Sequence, residues 1–246
     1  MRRTLVGSPE VTRPEQRARA AVYGFALALL TAAPLMPSAA VRAAEPPPAT
    51  GATAPALLTR DELLALLRAT PGVTATYREI QHIALLAAPL VSEGTMHFAP
   101  PGRLAKHQSR PAPSRMVVTG GRLRFADAFG GDELELARSP VVALFVHSVL
   151  QVLSGDVEAI ERDWYVGFAA GGDGDPRAWV LILRPRGAAG AKIVDALSIR
   201  GREAVVSRIE VTEHGGDRTV TTLADVDVDH RWEPAELARV FSLATP

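Results

Sequence analysis

The feature that most constrains this chain is a long succession of short, β-rich runs separated by turn residues. The turns carry Pro100-Pro101-Gly102, Gly120-Gly121 and Gly130-Gly131, which are typical of tight connections. Strands joined this closely must be antiparallel, because a parallel pair requires a crossover of about a dozen residues. The predicted strands occupy residues 73–84, 91–98, 103–109, 115–119, 122–125, 133–137, 164–169, 179–184, 196–200, 205–213 and 218–226. About ten or eleven antiparallel strands are therefore expected.

Helical patterns flank and interrupt these strands. Thr59 and Glu62 have the spacing of a capping box, and leucines then recur at helical intervals until Thr70-Pro71-Gly72. Ser139-Pro140 opens a second helix over residues 141–153, which is apolar on nearly every face, and a short helix follows toward Arg162. Residues 234–241 are predicted to form a terminal helix. The fold class is therefore mainly β within α+β: an incomplete antiparallel barrel with an N-terminal helix and a helical lid insertion.

The N-terminal segment is predicted to be an export signal. Five arginines precede an apolar stretch at residues 20–33, which is too short for the roughly 20 residues that span a bilayer. We expect residues 1–43 to form a signal peptide cleaved near Ala43, which places the mature protein in the periplasm; an uncleaved anchor is the alternative. Residues 44–56 are a proline-rich flexible tether, and residues 57–246 form one domain.

Charge and composition exclude several function classes. Lys+Arg 27 balances Asp+Glu 27, whereas a nucleic-acid-binding protein would carry a basic surplus. The chain has no cysteine, which excludes a thiol nucleophile, a disulfide framework, a zinc ribbon and an acylated N-terminal cysteine.

Enzyme motifs are absent from the sequence. It has no G-x-S-x-G, no H-E-x-x-H and no P-loop, and Gly187–Lys192 is interpreted as a loop. His97 and His107 are the pair that could meet, across the Pro100 turn, to form a metal or acid–base site. We predict no catalytic residue, no metal and no cofactor, and keep a His97/His107 enzyme as an alternative.

The order of these elements resembles that of LolA-type outer-membrane lipoprotein carriers. Residues 73–79 correspond to the first strand of that family, and residues 92–107 to a strand, a proline turn and a returning strand. The hairpin Val117-Val118-Thr119-Gly120-Gly121-Arg122-Leu123 follows, then the apolar insertion at residues 140–153 and the strand at residues 164–168. The resemblance covers about residues 60–226.

The resemblance implies an apolar cavity that binds the acyl chains of a lipoprotein, or of another acylated ligand, and carries them across the periplasm without catalysis. Its partners would be the acylated cargo, an inner-membrane release complex and an outer-membrane acceptor, and the protein would be a monomer. The predicted cavity residues are Met96, Phe98, Leu104, Met116, Val118, Leu144, Phe145, Trp164, Trp179 and Leu181.

The chain departs from the family at the proline turn. Family members have an arginine before the turn proline that bonds to the lid helices, and the matching residue here is Pro100. This departure indicates a divergent LolA-related protein. A second hypothesis, from a different class, also stays open: a filled barrel that serves as an envelope protein–protein interaction module through an exposed sheet edge.

Overall fold

A computed structural model describes residues 56–243 of the chain. The predicted signal peptide, its predicted cleavage site near Ala43 and residues 44–55 of the predicted tether lie outside this range. The helices are α1 (Arg60–Ala69), α2 (Pro140–Leu153), α3 (Val157–Asp163), α4 (Ala188–Ala191) and α5 (Pro234–Val240), with short 3-10 turns at Leu136–Arg138 and Gly172–Gly174. The strands are β1 (Val73–His82), β2 (Leu90–Ala99), β3 (Arg103–Arg110), β4 (Ser114–Thr119), β5 (Arg122–Asp127), β6 (Gly130–Glu135), β7 (Trp164–Ala170), β8 (Ala178–Pro185), β9 (Val194–Arg202), β10 (Val205–Glu213) and β11 (Arg218–Asp227).

All eleven strands form one antiparallel sheet in the order β6-β5-β4-β3-β2-β1-β11-β10-β9-β8-β7. β1 and β11, which are distant in the sequence, pair at the centre, and each half of the sheet is a simple meander. β6 and β7 are the two edges, so the sheet is an incomplete barrel, as the strand pattern predicts.

The sequence signals for α1 and α2 are confirmed. The Thr59 side chain caps α1 by accepting a hydrogen bond from the Glu62 backbone N–H at 3.2 Å. Pro140 occupies the first turn of α2, where its missing N–H leaves no helical bond unmade.

Two local interpretations are wrong. Gly130 and Gly131 were predicted to form a turn, but they belong to β6. Asp127 pairs with Gly130, so the β5–β6 turn consists of the two residues between them. The segment Gly187–Lys192 contains the one-turn helix α4, in which buried Gly190 lets Leu144 of α2 approach closely.

The two faces of the sheet differ in what covers them. We call inner the face that carries Phe98, Leu104 and Leu181, against which α1, α2 and α3 pack. The opposite, outer face is covered by α5 over β2–β4, where Val240 and Phe241 pack on Ala99, Ala105 and Val117. Among residues 56–243, no helix combines the length and apolar character needed to cross a membrane.

Candidate functional site

The inner face carries two apolar clusters that α2 joins. We call them the Trp164 cluster and the Phe98 cluster, after their largest buried side chains. Buried members of the Trp164 cluster are Leu58, Leu63, Leu67, Val152, Ile160, Trp164, Trp179, Leu181, Leu183, Val194, Leu197, Ile199, Val206, Ile209 and Val211. Buried members of the Phe98 cluster are Phe98, Leu104, Val118, Leu123, Leu134, Leu136, Val142, Ala143 and Val146. Because α2 contributes side chains to both, moving it would expose apolar surface on each side.

The structure divides the predicted cavity residues between these clusters. Phe98, Leu104 and Val118 are buried members of the Phe98 cluster, and Met116 packs against it. Met96 lies two residues before Phe98, on the same face of β2. In the other group, Trp164, Trp179 and Leu181 are buried in the Trp164 cluster, and Leu144 and Phe145 of α2 pack against it.

A small cavity lies between α1, α2 and the sheet. Its volume is about 30 Å³, and Met96, Phe98 and Leu104 form part of its wall. The other wall residues include Val73 and Ala75 of β1, Val149 and Leu153 of α2, and Val206, Ile209 and Leu223 of the distant strands. The sequence analysis does not name these residues. A cavity of this size holds about one water molecule and has no room for a larger ligand while α2 stays in this position.

An open depression of about 800 Å³ adjoins this cavity. It lies between the β2–β3 turn, with Pro100 and Pro101, and the C-terminal half of α2. Leu67, Thr70 and Leu153 line both spaces, so these side chains stand between the cavity and the depression. Pro100 has no side-chain donor, so the bond that the family arginine makes to the lid has no counterpart at this position.

The inner face changes from apolar to polar along β1. Ala75 lines the cavity, whereas Glu79, four residues further, is 1% exposed and lies in a polar cluster. Lys106 Nζ donates to the two Glu79 carboxylate oxygens at 2.8 and 2.7 Å and lies 4.6 Å from the centre of the Tyr77 ring. We call these residues the Glu79 cluster, with the further members Gln81, Ser92 and Thr221.

The Glu79 carboxylate is held from several strands at once. Gln81 Nε2 donates to it at 2.9 Å, Ser92 Oγ at 3.3 Å and Thr221 Oγ1 at 2.9 Å. Hydrogen bonds of this kind are what a buried charge needs to be tolerated in an apolar setting. Burial, followed by the negative charge of Glu79, raises the pKa of Tyr77 above its usual range.

The two candidate histidines do meet, but on the outer face. The ring centres of His97 and His107 lie 5.2 Å apart, and that of Trp232 lies 6.0 Å from His97. His97 Nε2 shares a hydrogen bond with Thr95 Oγ1 at 2.9 Å, and His107 Nε2 donates to the Val240 carbonyl at 2.9 Å. Within the described chain, no group of three His, Asp or Glu side chains is arranged to hold a metal ion.

Burial shifts the pKa values of His97 and Glu213 in directions that make folding stability depend on pH in opposite ways. Burial, and then the neighbouring His107, lowers the pKa of His97 from 6.5 to about 4. As the pH falls from about 6.5 to about 4, the unfolded chain takes up this proton and the folded chain does not, so stability decreases. Burial, and then Asp217, raises the pKa of Glu213 from 4.5 to about 7. Its stabilising contribution is complete below pH 4.5 and is lost as the pH rises toward 7.

We therefore expect His97→Gln and Glu213→Gln to change the pH dependence of stability in opposite directions. As the pH is lowered from 7 to 5, the urea midpoint of His97→Gln should rise relative to that of the wild type, because the destabilising effect of His97 is absent from this variant. The midpoint of Glu213→Gln should fall more steeply than that of the wild type. Exposed His82→Gln serves as the matched control. Parallel profiles for all four proteins would contradict this assignment.

Comparison with known families identifies this architecture. The family model described as outer membrane lipoprotein carrier protein LolA-like matches residues 52–231, which is most of the chain. The chain belongs to the LolA-like family. The description of that family names carriers of outer-membrane lipoproteins. The resemblance inferred from the order of strands, turn and lid helix is thereby confirmed.

Several solved structures are similar at low sequence identity. The Pseudomonas aeruginosa MucA/MucB complex matches with 13% identity and a TM-score of 0.44, over 72% of this chain and 60% of that chain. A domain described as an outer membrane lipoprotein-sorting protein, from Vibrio parahaemolyticus, matches with 9% identity and a TM-score of 0.43, over 72% and 94%. A LolA superfamily protein from Nitrosomonas europaea matches with 11% identity and a TM-score of 0.40, over 73% and 97%. No curated protein matches the chain.

Proposed function

We propose that this LolA-like protein is a periplasmic carrier that binds the acyl chains of a lipoprotein, or of another acylated ligand, without catalysis. The observation that carries this proposal is the position of α2. This helix of 14 residues packs over the inner face, joins the Trp164 and Phe98 clusters and forms one wall of the cavity. If α2 moves outward, the two clusters become one apolar surface for a ligand.

The energetics favour an acyl chain as the occupant. Burying each methylene of such a chain contributes about 0.8 kcal/mol, so an apolar surface of this kind retains a lipid in water without any specific bond. The depression beside Pro100 and Pro101 provides the entrance, because among residues 56–243 only Leu67, Thr70 and Leu153 line both the depression and the cavity. Export through residues 1–43, and delivery between an inner-membrane release complex and an outer-membrane acceptor, belong to the same proposal.

The volume of the cavity favours a second candidate function. A space of about 30 Å³ is what a barrel filled by its own side chains would leave, and such a protein would act as an interaction module in the envelope. The two candidates differ in one respect: the carrier opens along α2 when ligand is present, and the module does not.

We expect Phe145→Asp to reduce the uptake of a fluorescent fatty acid by about tenfold or more, which corresponds to about 1.4 kcal/mol of binding free energy. Phe145 is half-buried against the Trp164 cluster, so the new carboxylate would face the apolar surface that the fatty acid must contact. Phe129→Asp is the matched control, because Phe129 is 88% exposed at a hairpin tip and remote from α2. Fluorescence titration measures uptake, and urea unfolding measures stability.

Hydrogen exchange provides an independent test of the lid. Added fatty acid should change the exchange rates of the α2 amides more than those of β3 or β9. Exchange in α2 that is unaltered by the ligand would contradict the carrier and favour the interaction module. Equal losses of uptake and stability in Phe145→Asp would likewise mean that α2 is only core.

A further inference from the structure

We infer that β7 is a docking edge that pairs with an extended segment of a partner protein. This inference goes beyond the carrier function and does not depend on it. The two edges of the sheet are unequal: β6, with the sequence GGDELE, carries three acidic residues, whereas β7, with the sequence WYVGFAA, carries no charge and no proline. Natural sheets protect their edges with charges, proline, bulges or short strands. The seven residues of β7 include neither a charged residue nor a proline.

The hydrogen-bond register shows which backbone groups of β7 are open. Arg186 N–H donates to the Asp163 carbonyl at 3.0 Å, and Gly171 N–H donates to the Ala178 carbonyl at 2.9 Å. Bonded pairs alternate along an antiparallel ladder, so Tyr165, Gly167 and Ala169 direct both backbone groups toward β8. The N–H and C=O groups of Val166, Phe168 and Ala170 consequently point away from β8.

These open groups have no partner within the part of the chain that the structure describes. The Trp164 groups are already used, because its N–H bonds to the Ile160 carbonyl and its carbonyl accepts from Arg186 Nε at 3.0 Å. The vacant edge therefore runs over Val166, Phe168 and Ala170, with three donors and three acceptors. This pattern fits one short extended strand.

The side chains indicate the chemistry of that strand. Val166, Phe168 and Ala170 lie against the Trp164 cluster and are half-buried, so apolar residues on the inner side of an added strand would extend the cluster. On the outer side, Tyr165 is 58% exposed and stacks with Arg186 at 4.1 Å. Arg184, opposite Tyr165, is exposed and makes no ion pair among residues 56–243. A partner strand of alternating apolar and acidic residues would place its apolar side chains against the Trp164 cluster and its acidic side chains on the side of Arg184.

The chain's own tether is a poor occupant for this edge. Residues 44–55 precede Leu57, which lies against Gly171 just beyond the end of β7. However, the prolines at positions 46–48 and 55 leave only residues 49–54 with a full set of N–H groups. This stretch is ATGATA, which has no large apolar side chain to extend the Trp164 cluster. A strand from another protein has no such restriction.

The test is amide exchange in the exported, purified protein with a nine-residue peptide of alternating valine and glutamate. The peptide should slow exchange of the Val166, Phe168 and Ala170 amides by about tenfold, which corresponds to about 1.4 kcal/mol. The amides of Tyr165, Gly167 and Ala169, already bonded to β8, should not change. A peptide of alternating valine and lysine should protect the edge less, because Arg184 and Arg186 repel it.

A pair of proline variants completes the test. Val166→Pro removes an outward N–H of β7 and should abolish binding, whereas Glu133→Pro, on the opposite edge, should leave it intact. The inference is overturned if the peptide does not protect the amides of Val166, Phe168 and Ala170, or if it protects the odd-numbered amides of β7 equally. It is also overturned if Val166→Pro still binds the peptide. Concentration-dependent protection without peptide would also overturn it, because the occupant would then be a second copy of this chain. Fatty acid should not change the binding of the peptide to β7. The docking edge and the carrier proposal can therefore fail independently of each other.

Discussion

Lys106→Met is expected to lower the free energy of unfolding by about 3–5 kcal/mol. Lys106 and Glu79 are both buried, and their side chains meet at 2.7 and 2.8 Å. Removing the lysine leaves a carboxylate without its counter-ion in an apolar interior, and the remaining bonds from Ser92, Gln81 and Thr221 do not neutralise it. Urea unfolding at pH 7 gives the change directly.

Two controls separate this effect from the loss of a side chain. Arg78→Met removes an ion pair with Glu93 on the outer face, where the arginine is 56% exposed, and should cost less than about 1 kcal/mol. The double variant Glu79→Gln/Lys106→Met removes both charges and should regain much of the loss. If Lys106→Met and Arg78→Met are equally stable, the Glu79 cluster does not act as a buried charge network.

Val146→Asp is expected to detach α2 while the sheet stays folded. Val146 is 4% exposed in the Phe98 cluster, so an aspartate there places an unpaired charge beneath the helix. A penalty of about 4 kcal/mol corresponds to about a thousandfold faster exchange of the α2 amides. The amides of β9 should keep their protection, because the strands retain their ladder bonds. Amide exchange followed by NMR measures both elements in one sample.

The neighbouring residue supplies the control. His147→Asp introduces the same side chain at an exposed position of α2 and should leave exchange nearly unchanged. If Val146→Asp accelerates exchange in β9 as much as in α2, then α2 is part of one cooperative core, and the lid hypothesis is wrong.

Local signals in the sequence were sufficient for most elements. The predicted strand at residues 205–213 coincides with β10 because Ile209 and Val211 alternate with polar residues on a half-buried strand. Thr59 and Pro140 located the starts of α1 and α2 through capping chemistry that depends only on nearby residues. Short turns likewise predicted that consecutive strands pair in antiparallel fashion.

Features that depend on long-range pairing were not predictable. Glu79 sits among alternating polar residues of β1, and nothing in its neighbourhood indicates that it is buried. Its environment arises because β2, β3 and β11 bring Ser92, Lys106 and Thr221 to one place. Likewise, the terminal helix was expected, but its position over the outer face depends on contacts of Val240 and Phe241 with β2–β4. The volume left beneath α2 depends on how side chains interlock, which no periodicity encodes.

Native mass spectrometry can determine whether the inner face of this LolA-like protein carries an acylated ligand. The protein is exported to a bacterial periplasm, purified without detergent, and its bound material is extracted as lipid. The carrier account predicts a stoichiometric adduct that extracts as a lipid or an acylated peptide. A clean unliganded mass, together with failure to take up an added fatty-acyl probe, would contradict it.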